Sequence, residues 1–183
     1  MADNTKAAHK VFNHPVAWLP PLLGAMLVYL APPAIADHVS IQMLARFSAS
    51  FSGIYEQANR SLFPSQALIF YAITYSAFPF QLAYLGRRWI KFLDKDVTVA
   101  FFRRLSYPKR IALMLVSLIG LAAFYWAVFF LTEDPSFCKG CTTDSLVGLI
   151  MFQTGGLFGV AIAAFSNLRF IQIIPSVFFS KSQ

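Results

Sequence analysis

Four stretches without a charged residue, 16–36, 62–86, 111–131 and 145–166, alternate with polar ones along the chain. Each has 21 residues or more, and about 20 apolar residues in a helix cross a hydrocarbon core of about 30 Å. The pattern predicts an all-α, polytopic membrane protein: one domain over 1–183, with four transmembrane helices. The polar intervals are then its loops, 37–61, 87–110 and 132–144. Within 37–61, Ile41, Leu44, Ala45, Phe47, Phe51 and Ile54 fit a short amphipathic helix. Two roles suit it: a functional loop or a helix lying on the bilayer by its Phe residues. In 87–110, Val97, Ala100, Phe101 and Leu105 with flanking cations predict an interfacial helix. Pro20, Pro21, Pro32 and Pro33 are expected near the ends of the first span, where missing N–H groups cost least. Pro79 predicts a kink in the second. A signal peptide ending near Ala34-Ile35-Ala36 is the alternative for the first stretch, against which its length and bulky residues weigh.

Charge sets the expected orientation. Segment 87–110 carries eight Lys/Arg. With four spans and both termini on its side, that side holds twelve of the fifteen Lys/Arg. The opposite side holds Arg46, Arg60 and Lys139, with five of the eight acidic residues. Lys and Arg favour the cytoplasmic side, so the expectation is N-in and C-in, in a bacterial inner membrane. Anionic lipid headgroups are the expected partner of Arg87–Arg110. The composition agrees: 57% hydrophobic, 13% charged and a mean hydropathy of +0.59, against about 25% charged in soluble domains. The net charge of +7 is read as basic loops facing lipid, not as nucleic-acid binding.

Candidate chemistry is sparse. Cys138 and Cys141 form a CxxC pair in the loop 132–144. The spacing suits a thiol–disulfide redox pair or a structural disulfide closing a tight loop in an oxidising compartment. The second is favoured, because membrane thiol oxidases pass electrons between two such pairs. A closed zinc site needs further ligands than His38, so no metal is expected. The four charge-free stretches offer no ionisable group for transport at membrane depth. No catalytic motif is present, and neither enzymatic activity nor a cofactor is expected. The last stretch carries Gly155, Gly159 and Ala163 at a spacing of four, a small-residue seam that admits close helix contact or a helix–helix oligomer. Gln153 and Thr154 beside it can form interhelical hydrogen bonds. The tail's IQIIPSVFF run is expected at the interface.

A basic four-span protein of this size with a long first outer loop resembles the immunity proteins of A-type pore-forming colicins. The approach to the second span, Tyr55-Glu-Gln-Ala-Asn-Arg-Ser-Leu-Phe-Pro64, is similar to that family's basic–hydroxyl–proline entry. The ending after Pro175, Phe179-Ser-Lys181-Ser-Gln183, is similar to its proline, aromatic and Lys–Gln ending. The Cys138/Cys141 pair and the Gly-rich last span depart from the pattern. The resemblance implies a protein that binds and blocks a toxin's pore-forming domain in the inner membrane. Tyr55, Asn59, Arg60, Glu133, Asp134 and Lys139 are then the expected polar contacts, and Gly155 and Gly159 the docking face for an inserting hairpin. The competing classes are a membrane thiol–disulfide redox protein using Cys138 and Cys141, and a small structural subunit of a membrane complex.

Overall fold

The computed structural model describes residues 13–92, 95–130 and 145–179, and all its regular elements are helical. They are α1 (Pro15–Leu30), a 3₁₀ turn (Pro33–Asp37), α2 (Val39–Ala49), α3 (Ile54–Arg60), α4 (Pro64–Phe92), α5 (Lys95–Arg103), α6 (Tyr107–Phe129), α7 (Leu146–Ile174) and a π turn (Pro175–Phe179). Three stretches, Pro64–Trp89, Tyr107–Phe129 and Leu146–Phe178, are long and apolar enough to cross a membrane. This is a helical membrane protein.

The first charge-free stretch gives a shorter helix than its 21 residues promise. α1 has 16 residues, about 24 Å at 1.5 Å per residue, and a hydrocarbon core is about 30 Å thick. Pro32 and Pro33 lie just past its end, as expected. Pro20 and Pro21 do not lie near an end; they sit inside the helix. With no N–H of their own they leave the carbonyls of Val16 and Ala17 without the usual i→i−4 donor. Gln81 of α4 replaces it: its Nε2 donates to Val16 O at 2.9 Å and to Ala17 O at 3.1 Å. Close approach of the two helices allows this reach. At Gly24, a Cβ would come within 2.9 Å of the Phe70 ring on α4.

α4 is the centre of the bundle, packed against α1, α2, α3 and α7. Half of the residues in its most apolar stretch are buried, against 6% in α6. α6 therefore lies at the edge, seated chiefly on α7, and offers Leu115, Ile119 and Trp126 to its surroundings. In water such a surface would be very costly; facing lipid chains it is ordinary.

The helices also run past the charge-free stretches. α4 continues through Arg87 and Arg88, and α7 continues through Asn167 and Arg169 to Ile174. Arg169 is 6% exposed and donates from Nη1 to Gln172 Oε1 at 3.2 Å. So a span-length helix does hold an ionisable side chain, because absence of charge does not mark where a helix ends. α5 forms as expected. Val99 and Phe102 are its buried residues, while Ala100 and Phe101 are exposed. Val99 and Phe102 pack on Ile173 and Val177 of the tail, so part of the IQIIPSVFF run is folded under α5.

Two arginines fasten this end. Arg110 donates to Leu105 O at 2.8 Å, Val177 O at 3.0 Å and Arg103 O at 3.0 Å. Arg103 donates to Ser176 O at 2.9 Å. These carbonyls belong to the turns between α5 and α6 and after α7, where regular helical donors run out.

Replacing Gln81 by Leu strands the Val16 and Ala17 carbonyls. It should cost about 1–2 kcal/mol of stability, the scale of one or two hydrogen bonds within a membrane bundle. Thermal or denaturant unfolding in detergent or bilayer measures the loss. Adding Pro20→Ala and Pro21→Ala to the Leu variant returns the missing N–H groups and should recover much of it. Equal loss in the triple variant would show that Gln81 acts by packing alone.

Candidate functional site

At the end of the bundle away from Arg87–Arg110, α6 finishes at Phe129, and the last carbonyls of a helix have no partner within it. Val128 O accepts from Gln57 Nε2 at 3.0 Å and from the Tyr75 hydroxyl at 2.9 Å. Phe129 O accepts from the Gly53 N–H at 2.7 Å. The Tyr75 oxygen also lies 3.0 Å from Gln57 Oε1 and 3.0 Å from Gln153 Oε1. A phenol has one hydrogen, so it serves these acceptors one at a time. Turning the Gln153 amide by 180° makes it a donor to the Tyr75 oxygen and satisfies the whole group, a choice that heavy-atom positions leave open. Tyr75 is fully buried, and its ring packs on Tyr71 and Phe129, with centroids 5.3 and 4.7 Å away. From α6, the Tyr125 hydroxyl donates to Phe51 O at 2.6 Å.

These bonds fix segment 37–61 to the bundle. The expected amphipathic helix is two helices, α2 and α3, divided near Gly53, whose Cβ position would lie 3.6 Å from Phe129 O. Ile41, Ala45 and Ile54 are buried, Leu44 and Phe51 partly so, and Phe47 is exposed. On α3, Ile54, Gln57 and Ala58 face inward. Tyr55, Glu56, Asn59 and Arg60 are exposed. Arg60 Nη2 donates to Glu56 Oε1 at 2.8 Å, one turn away. The structure thus brings Tyr55, Asn59 and Arg60 together on one short, firmly held helix. Glu133, Asp134, Lys139, Cys138 and Cys141 lie outside the described residues.

The glycine seam is displaced from its expected register. A Cβ at Gly155 would meet nothing within 4 Å, whereas one at Gly156 would lie 2.9 Å from Val128 Cγ2. At Gly159 the Phe124 ring is 3.3 Å away. Gly156 and Gly159 therefore form the close contact with α6 inside the chain. The Gly159 position of the expected oligomer and hairpin face is taken by Phe124, and Gly155 remains open. Gln153 makes its expected interhelical bond. Among the described residues the Thr154 hydroxyl is buried without a hydrogen-bond partner, beside an apolar groove that Ala17, Pro21, Phe78 and Leu157 also line.

Among the described residues, no three His, Cys, Asp or Glu side chains gather in a group that could hold a metal. No protein-family model, characterised protein or solved structure matches the chain. The site is thus defined by its own geometry: a polar hub below, and an exposed helix face above.

Sequence reasoning did not assign Tyr75 and Gln57 to this hub. Gln153 gave half of the signal, since an amide at membrane depth seeks a partner on another helix. Tyr75 lies in the charge-free stretch 62–86, but its level relative to Gln153 depends on how far α4 runs beyond the end of α6.

Two substitutions check the glycine register and a third checks the hub. Gly156→Val should destabilise the bundle by about 1–3 kcal/mol, the usual cost of overpacking. Gly155→Ala should be neutral or slightly stabilising, because glycine is the weaker helix former. Comparative unfolding in one detergent reads both; equal effects would refute the assigned register. Tyr75→Phe keeps the ring and removes the hydroxyl, and should cost about 1–2 kcal/mol by the same measurement.

Proposed function

We propose that the chain is a bacteriocin immunity protein, a four-span protein of the bacterial inner membrane with both termini inside. In this reading it binds the pore-forming domain of a colicin-like toxin and blocks its channel, without catalysis and without a cofactor. The observation that carries it is the two-sidedness of α3. This helix lies within the segment that is similar to the family's entry to the second span. Its inner face is held by the Tyr75–Gln57–Val128 bonds, and its outer face presents Tyr55, Asn59 and Arg60. A binding surface gains from such prior fixing, because less conformational freedom is lost on contact.

Glu133, Asp134 and Lys139 of the neighbouring loop supply the remaining polar contacts in the proposal. The open notch at Gly155 is the place where an inserting helix could approach α7 closely. The Cys138–Cys141 pair is assigned a structural disulfide. At the opposite end, anionic headgroups meet Arg87, Arg104 and Lys109, which are exposed. Arg103 and Arg110 are engaged with backbone carbonyls and serve the fold.

Expression of the chain in a sensitive bacterium should protect it from the pore-forming toxin encoded beside it. A paired Asn59→Ala and Arg60→Glu variant, present at unchanged level in the membrane, should lower the tolerated dose about tenfold, the effect of about 1.4 kcal/mol of lost binding. Cys138→Ser with Cys141→Ser should retain protection; a thiol-redox protein would lose its activity. No protection by the folded wild-type chain would sink the proposal.

A further inference from the structure

α2 is apolar on two opposite faces. One face, Ile41, Ala45 and Ser48, is buried against the bundle. At 100° per residue, Val39, Met43 and Phe47 fall on the other side. They are 66%, 66% and 46% exposed, and Arg46 stands beside them, also exposed. A helix between a protein core and water carries polar side chains on its outward face; here three large apolar ones stand at a spacing of four. The inward contacts and the bond from Gln42 Nε2 to Ala36 O at 2.8 Å fix the rotation, so this stripe cannot turn inward.

We infer that α2 is an interfacial helix seated in the lipid at the edge of the bilayer, with Val39, Met43 and Phe47 among the acyl chains and Arg46 at the phosphates. Two further features point to lipid as the occupant. First, the stripe follows closely in the chain on another exposed apolar surface. Met26, Tyr29 and Leu30 are exposed at the end of α1, and only Ala31, Pro32, the 3₁₀ turn and His38 separate that end from α2. Second, α1 is about 6 Å too short for the hydrocarbon core by the rise of a helix. An apolar α2 lying in the layer completes that leaflet and relieves the mismatch. The basic side chain complements anionic phosphates, as in other helices that lie in a membrane surface. The inference rests on the chain being a membrane protein and is independent of the toxin reading. Its consequence is directional: lipid covers α2, and α3 is the part of segment 37–61 left to an aqueous partner.

The test is site-directed spin labelling of the full chain in phospholipid bilayers, in a Cys138→Ser, Cys141→Ser background. A nitroxide is placed by Met43→Cys, with Ile119→Cys as the lipid reference and Asn59→Cys as the water reference. Collision with oxygen is compared with collision with a water-soluble nickel chelate. The expected result at Met43 is high oxygen access and low nickel access, a ratio several times that at Asn59 and below that at Ile119, which lies deeper in the bilayer. A ratio like that of Asn59 puts the stripe in water and overturns the inference. Shielding from both reagents means that a second copy or another protein covers it, and overturns it equally. If the cysteine-free background does not fold, Met43→Trp in the native chain decides instead. Brominated lipids should quench the added emission, taken as the difference from wild type, and no quenching refutes the inference.

Discussion

Backbone carbonyls that have lost their helical donors govern this structure. Within a bilayer there is no water to take their place, so each must be met by the protein. Three such sites among the described residues are closed from other segments of the chain. The Pro20–Pro21 pair frees two carbonyls of α1, and an amide of α4 covers both. The end of α6 frees Val128 and Phe129, which α3, α4 and Gly53 cover. The turn after α7 frees Ser176 and Val177, which Arg103 and Arg110 cover. Hydrophobic drive does not sort helices inside lipid, since all their surfaces are apolar. These polar demands supply the missing specificity: they set which helices are neighbours and at what height.

The same constraint explains why the two ends of the bundle differ. Near Arg87–Arg110 the freed carbonyls are met by arginines, whose forked guanidinium reaches several acceptors at once. Arg110 spans three carbonyls on two segments. At the far end the donors are neutral, Gln57, Tyr75 and a backbone N–H. Neutral donors can be wholly buried without the penalty of a desolvated charge, and Tyr75 is wholly buried. That burial lets a loop segment be built into the core while its other face stays available.

Much of the architecture is legible in the residue pattern. Long charge-free stretches announce helices over three spans, and the amphipathic spacing of 37–61 and 87–110 announces the short helices between them. The errors are of phase and extent. Glycines at 155, 156 and 159 support two registers, and the choice depends on the position of Val128 and Phe124, which no local pattern encodes. A helix end is expected at the first charge, yet α4 and α7 continue past it because the backbone gains from further hydrogen bonds; Arg87 stays exposed, and Arg169 is buried with Gln172 as its partner. The Pro20–Pro21 pair carries readable information: two adjacent prolines inside an apolar stretch require a double donor nearby, and Gln66 and Gln81 are the amides set in the next one. Which helix presents that donor depends on the tertiary pairing of α1 with α4.

Two helices from one loop segment thus acquire different surroundings through differences of a few residues. On α3 the outward positions hold Tyr55, Glu56, Asn59 and Arg60; on α2 they hold Val39, Met43 and Phe47, with Arg46 alongside. Both bury an apolar face against the bundle, so core packing cannot distinguish them. The outward face does, because its side chains must suit what lies beyond the protein. Exchanging the two outward sets would leave the core contacts intact while placing charges in lipid and apolar groups in water. On the inferred placement of α2, segment 37–61 is specified twice, once by the core that anchors it and once by the boundary between bilayer and solvent, which passes between its two helices.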